Sequence, residues 1–275
     1  MPELPEVETT RKGIDAVATG RTLERMVIHE SRMRWPIPAG LPDWVRGQPV
    51  LSCRRRGKYL LLEFDRGTQL IHLGMSGSLR SVPTGELLRK HDHVEWHFEH
   101  LTLRLHDPRR FGAVLWHPVQ DGPVENHPLL QKLGIEPFDP NFDAAHLRKG
   151  FKGRQMAIKQ ALLAGDVVVG AGNIYASECL FRANIHPATP AARLSHERCE
   201  RLVIALRSTL RDALESGGST LRDYVNATGE AGAYFTMHAA VYEQDGKPCK
   251  ACSRPIKRIL QGQRATYYCP SCQKR

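Results

Sequence analysis

The sequence predicts a multi-domain α+β protein: an N-terminal helix with an antiparallel β-sandwich or flattened barrel, a helical domain, and a compact C-terminal cysteine module. Three observations predict it. Short runs of alternating apolar and polar residues, bounded by Gly, Pro or Asp, fill the chain as far as Trp116. Helical periodicity replaces them after a segment rich in Pro, Asp, Gly and Asn. Four of the seven cysteines then gather near the C-terminus in two CxxC pairs.

The elements follow in order. A first helix is expected from about Pro5 to Ala18, with Val7, Ile14 and Val17 toward one face and Gly20 as its stop. Pro5 lacks an N–H that the first turn would leave unbonded, and Glu6 and Glu8 suit the positive end of the helix dipole. The runs TLERMVIH, GKYLLLEF, TQLIHLGM, HVEWHFEH and LTLRLH read as hairpin-linked antiparallel strands. Residues 121–141 read as a linker. Beyond them AAHLRKGF, MAIKQALLAG, NIYASECLFRA and SHERCERLVIALRSTLRDALES have helical spacing. In the last of these, Ser195 can cap the start and Gly217–Gly218 ends the helix. The domains predicted are 1–120, a linker over 121–141, 142–239 containing a loop at 217–232, and 240–275.

Lys and Arg number 39 against 29 acids, a net charge of +10. Such an excess favours a polyanionic partner, nucleic acid above all. Glu3, Glu6 and Glu8 interrupt any apolar leader, and no run is long enough to span a bilayer, so a cytoplasmic protein is expected. The clustered cysteines then read as metal ligands, and Cys53, Cys179 and Cys199 as buried structural thiols.

Cys249, Cys252, Cys269 and Cys272 form CKAC…CPSC, a spacing that lets four thiolates close a tetrahedral site as a zinc ribbon. No ligand position is left open, so one structural Zn²⁺ per chain is expected. The intervening RPIKRILQGQRATYY is a basic hairpin with Arg264 at a turn, either a phosphate clamp or a solvated tip. VVVGAGNIYASE leads into a helix through Gly170, Gly172 and Asn173, which suits phosphate approach at a helix N-terminus and equally a tight interhelical turn. HLGMSG and HDPRRFG carry Met75 and Arg109-Arg110-Phe111. The alternatives there are core packing or a wedge that fills the space left by an extruded base. In RRRGKYLLLEF, Lys58 is either a solvated strand end or a lysine aimed at a phosphate or sugar.

These strings, together with PELPEVE, KHDHV and GGSTLRDYV, resemble the formamidopyrimidine-DNA glycosylases along essentially the whole chain. The resemblance implies a helix–two-turn–helix domain between sandwich and zinc finger. It also implies a monomer of the bacterial cytosol and nucleoid that acts on double-stranded DNA with damaged bases or abasic sites. The activity implied is bifunctional: excision of oxidised purines such as 8-oxoguanine and formamidopyrimidines, then strand cleavage by β,δ-elimination. The competing readings are an endonuclease VIII-like enzyme for oxidised pyrimidines and a non-catalytic DNA-binding protein on the same scaffold; Leu4, in PELPE, favours the purine enzyme.

The resemblance further implies that Met1 is removed and that Pro2 supplies the nucleophile. An α-amino group titrates near 7.7–8.0 and a lysine near 10.4, so roughly one in ten of the former is unprotonated at pH 7 against fewer than about one in a thousand of the latter. Glu3 is implied as proton donor for sugar opening, with Glu6 supporting it. Lys58 is implied in β-elimination, and Arg264 in δ-elimination or as a phosphate clamp. His91, Arg109, Arg154 and Asn173 are implied DNA contacts, with Met75, Arg109 and Phe111 filling the gap. Glu178, Ser219, Arg222 and Tyr224 join Glu6 as lesion-pocket candidates, within a loop over 217–232 for the last three. Ala171 departs from the valine expected in the GVGNIYA pattern, a change of packing.

Overall fold

The computed structural model describes residues 2–219 and 232–275, the side chain of Phe235 aside. The chain folds as two compact units, one of residues 1–131 with 216–233, the other of residues 132–215 with 234–275.

The first unit opens with α1 (Leu4–Ala18), one residue earlier than the expected start because Pro5 falls within the first turn. Glu3 is the N-cap, and its N–H donates to Glu6 Oε2 at 2.7 Å. Eight strands follow: β1 (Arg25–Ile28), β2 (Ser52–Arg56), β3 (Tyr59–Phe64), β4 (Gly67–His72), β5 (Ser78–Pro83), β6 (Asp92–His97), β7 (Leu101–His106) and β8 (Ala113–Pro118). A short helix α2 (Leu41–Val45) lies between β1 and β2. The strands form two antiparallel four-stranded sheets, ordered β1-β6-β7-β5 and β2-β3-β4-β8. Apolar residues of α1, α2 and both sheets share one core, including Val7, Ile14, Leu41, Leu60, Leu62, Ile71, Leu79, Trp96, Leu103 and Val114. This is the sandwich that the alternating runs predict.

The second unit begins within the predicted linker. Its backbone over 137–142 is held by Arg207, whose guanidinium donates to the carbonyls of Pro137, Asp139 and Phe142 at 2.8–2.9 Å. The helices are α3 (Ala144–Phe151), α4 (Ile158–Ala164), α5 (Asn173–Arg182), α6 (His196–Glu215) and α7 (Tyr234–His238). The Arg198 N–H donates to Ser195 Oγ at 3.2 Å, the cap expected for α6, and Gly217 and Gly218 end it at φ +71° and +88°.

The C-terminal hairpin pairs β9 (Lys257–Gln261) with β10 (Arg264–Tyr268). Its two-residue turn, Gly262-Gln263, has positive φ at both positions, the twist that a tight hairpin prefers. The module packs on the helices of its own unit. Gln273 Nε2 donates to the Ile185 carbonyl at 2.9 Å, and the His186 and Tyr268 rings meet edge-on at 4.5 Å.

Candidate active site and nucleic-acid interface

In the first unit, Pro2 is buried directly ahead of the α1 N-terminus, beside the buried carboxyl-bearing Glu3 and Glu6. The start of the helix fixes this arrangement: a carboxylate at N3 turns back to the N-cap N–H, and both sit at the positive end of the dipole. Glu6 carries a second bond. Its Oε1 accepts the Ser219 N–H at 2.6 Å, so one carboxylate joins the start of α1 to the chain just after α6. Gly218 permits the approach, since a Cβ there would lie 3.0 Å from Glu6 Oε1. Ser219 and Ala233 pair as an antiparallel bridge, and the buried Ser219 Oγ has no partner among the described residues. Arg222 and Tyr224 lie outside the described residues, as does Met1.

Lys58 lies in the tight turn between β2 and β3, after Gly57 at φ +58°. Arg55 sets that turn: it donates to Glu8 Oε2 of α1 at 3.0 Å and to the Gly57 carbonyl at 2.8 Å. Arg54 pairs with Glu63 and Glu125. The triple-arginine run thus spends two of its members on architecture. His72, absent from the sequence-predicted set, belongs to the surroundings of Lys58. It sits opposite Tyr59 in the β3–β4 register, with ring centroids 4.8 Å apart, and its Nδ1 accepts the Gly74 N–H at 2.9 Å. Burial first, then the charges of Lys58 and Arg34, push its imidazole down to about 4. The usable signal was HLG, a histidine followed by a forced tight turn.

Met75 and Phe111 are the exposed large apolar side chains of two loops locked together. Gly74, at φ +64°, lies so close to the Phe111 backbone that a Cβ would approach its carbonyl carbon to under 3.0 Å. Buried Asp107 bonds both loops, accepting Ser76 Oγ–H at 3.0 Å and the Gly112 N–H at 2.8 Å. The Arg109 guanidinium stacks over the Phe111 ring at 4.8 Å. His91 has φ +74° and rings of His93 and His106 each 6.1 Å away. Its imidazole is held below the ordinary value by desolvation and by Lys90, His106, His93 and Arg110.

In the second unit the four cysteine sulfurs lie within 4.8 Å of one another, with Cys249–Cys272 at 4.0 Å and Cys252–Cys269 at 3.5 Å. Four sulfurs at about 2.3 Å from a tetrahedral Zn²⁺ stand about 3.8 Å apart, so the donor set fits one structural zinc. Arg264 is exposed at the first position after the hairpin turn. Asn173 opens α5, and its Nδ2 donates to the Ala265 carbonyl at 3.0 Å. Arg154 pairs with Asp166 at 2.9 Å.

Glu178 is fully buried, and its two oxygens accept the N–H groups of Ala240, Val241 and Tyr242 at 2.8–3.0 Å. This occupancy makes Glu178 an anchor for the chain leading into the zinc module. A lesion contact through the same oxygens would have to compete with three amides, and nothing in the sequence distinguishes those two uses of a carboxylate.

Comparison with known proteins gives the arrangement a lineage. Residues 1–114 match the formamidopyrimidine-DNA glycosylase N-terminal domain, 133–225 the formamidopyrimidine-DNA glycosylase H2TH domain, and 246–275 a zinc finger found in FPG and IleRS. The formamidopyrimidine-DNA glycosylase of Bordetella petrii is 70% identical over 275 residues, covering 100% of both chains. That of Burkholderia cenocepacia is 55% identical, again over 100% of both. Among solved structures, the MutM (Fpg) protein of Thermus thermophilus superimposes with a TM-score of 0.88 at 38% identity, covering 99% of this chain and 98% of that one. Lactococcus lactis Fpg bound to an abasic-site DNA gives 0.90 at 30% identity, covering 99% and 100%. With identity of this degree sustained from the first residue to the last, the chain belongs to the formamidopyrimidine-DNA glycosylase family.

Proposed function

We propose that this protein is a bifunctional DNA glycosylase and AP lyase of base excision repair. It removes oxidised purines, 8-oxoguanine and formamidopyrimidines, from double-stranded DNA and cuts the strand at the resulting site. Family membership supports the activity, and one observation carries the mechanism: Pro2 is buried at the mouth of α1 beside the carboxylates of Glu3 and Glu6.

Once Met1 is gone, Pro2 presents a secondary amine. Its lone pair attacks C1′ of the deoxyribose, the C1′–N9 bond breaks, and the base leaves with a proton. Glu3 protonates O4′ as the ring opens, which leaves an iminium between Pro2 and C1′. The iminium acidifies the C2′ hydrogens. Loss of one expels the 3′ phosphate, loss of a second proton expels the 5′ phosphate, and water releases the sugar remnant and restores the amine. Lys58 serves the first elimination and Arg264 the second. Arg264 also grips the flanking phosphate through its guanidinium N–H donors.

His91, Arg154 and Asn173 contact the DNA backbone, while Met75, Arg109 and Phe111 occupy the space of the extruded base, with Arg109 toward the orphaned partner. Glu6, Ser219, Arg222 and Tyr224 surround the lesion, while Glu178 anchors the chain leading into the zinc module. The catalytic domain spans 1–120 and a linker 121–141. The helix–two-turn–helix domain spans 142–239 with a lesion loop over 217–232, and the zinc finger 240–275. Among the described residues no helix is long and apolar enough to cross a membrane. The protein acts as a monomer in the bacterial cytosol.

Borohydride reduction during turnover tests this. A duplex containing 8-oxoguanine should become covalently attached to the N-terminal peptide of wild-type enzyme, with the adduct mass on Pro2. A Pro2→Gly variant should trap at least about tenfold less. Full activity with Met1 still attached would refute the mechanism, and preference for thymine glycol over 8-oxoguanine would indicate the pyrimidine enzyme.

A further inference from the structure

Lys159, on α4, is fully buried, a rare state for a lysine because the ammonium forfeits its hydration. Its Nζ donates to Thr266 Oγ1 at 2.9 Å and to the Ala265 carbonyl at 3.2 Å. Thr266 is itself fully buried. Both acceptors belong to the start of β10, immediately after Arg264, and the Ala265 carbonyl also accepts from Asn173 at 3.0 Å. Gln261, opposite Arg264 in the hairpin register, donates to the Pro187 carbonyl at 3.3 Å. At the turn itself, a Cβ on Gly262 would stand 3.0 Å from Gln160 Nε2 of α4. The cysteine tetrad lies at the other end of the hairpin. The metal therefore fixes one end, and α4 and α5 fix the end that carries the arginine.

We infer that Lys159 is a positioning residue that aims Arg264: its buried amino group clamps Ala265 and Thr266, and so fixes where the neighbouring guanidinium meets the DNA. The inference rests on the reading of Arg264 as a DNA-contacting and δ-elimination residue. A donor shared by two buried acceptors holds a strand because breaking either bond leaves a polar group away from water, and an exposed arginine with a long side chain gains reach only if its backbone is fixed.

The test compares Lys159→Met, Thr266→Val, Thr266→Ser, Arg264→Ala and the Lys159→Met/Arg264→Ala double variant. The readouts are affinity for a duplex carrying a tetrahydrofuran abasic analogue, the ends left on a natural abasic duplex, and bound zinc. Lys159→Met should bind about tenfold more weakly and accumulate 3′ unsaturated aldehyde ends, the product of β-elimination, in place of 3′ phosphate, with one zinc per chain retained. Thr266→Val should show the same pattern more weakly and Thr266→Ser should restore wild-type behaviour, an arm that decides the matter even if Lys159→Met misfolds. In the double variant the lysine change should add little to the loss from Arg264→Ala. Fully additive losses, or wild-type ends from Lys159→Met and Thr266→Val alongside an impaired Arg264→Ala, would overturn the inference alone. An Arg264→Ala enzyme that binds and cuts like wild type would remove the reading of Arg264, and the inference with it.

Discussion

Glu6 shows what a single carboxylate can hold together. It accepts the Glu3 N–H at 2.7 Å and the Ser219 N–H at 2.6 Å, joining the start of α1 to the chain just after α6. Glutamine at this position keeps one oxygen acceptor and turns the other into a donor, so one of the two amides loses its partner at a cost of about 1.5–3 kcal/mol. Glu6→Gln should therefore slow 8-oxoguanine excision at least about tenfold and spare cleavage of a preformed abasic site, which has no base to seat. Single-turnover rates on the two substrates would show it, and an equal loss on both would contradict it. His72 makes a second prediction at this scale. Its imidazole stands at about 4 in the folded protein against an ordinary value near 6.5. The unfolded chain thus takes up the proton first. The stabilising contribution is complete above pH 7, declines as the pH falls from 6.5 to about 4, and is constant below, a span of at most about 3 kcal/mol. His72→Asn retains an acceptor for the Gly74 N–H without titrating. The melting-temperature gap between wild type and this variant should narrow or reverse between pH 7 and pH 5, and a gap independent of pH would dismiss the assignment.

At the scale of elements, the two loops bearing Met75 and Phe111 behave as one piece because glycine permits their backbones to meet and Asp107 bonds both. Gly74→Ala adds a methyl where no space exists, at a φ that alanine resists, and should cost about 2–3 kcal/mol. Melting temperature should fall, and affinity for an abasic duplex with it; unchanged affinity would show that the loops need not be held together. The elements themselves were largely legible in the sequence. Alternating polarity marked β1, β3, β4, β6 and β7 but not β2, β5 and β8, Ser195 and Gly217–Gly218 marked the limits of α6, and the CxxC pairs marked the hairpin. The pairing of HLGMSG with HDPRRFG was not legible, because their contact joins chain segments more than thirty residues apart and leaves no local periodicity. The same holds for His72 and Lys159, whose surroundings come from strands or helices distant in sequence. Glu178 is the converse case: its motif was visible, while its three amide partners were not.

At the scale of the whole molecule, zinc and the sandwich should be separable. The sandwich core contains no residue of the cysteine module, whose own small core is Val241, Cys249, Ile256, Tyr267 and Cys269. All four tryptophans, Trp35, Trp44, Trp96 and Trp116, belong to the sandwich unit, so their fluorescence reports that unit by itself. Removing zinc with a strong chelator, or by Cys269→Ala, should abolish the metal stoichiometry and weaken DNA binding at least about tenfold, with the tryptophan unfolding transition retained. Loss of that transition together with the metal would show that the zinc supports the entire fold.

The sequence alone determined the main kinds of element, their order and the four metal ligands, because each follows from local spacing: alternation marks a strand, a 3.6-residue period marks a helix, and two CxxC pairs carry their geometry with them. Only the tertiary structure decided what surrounds those groups. The second bond of Glu6, the depressed imidazole of His72 and the buried side chain of Lys159 all arise where distant segments exclude water from one another, and no stretch of a few residues encodes that exclusion.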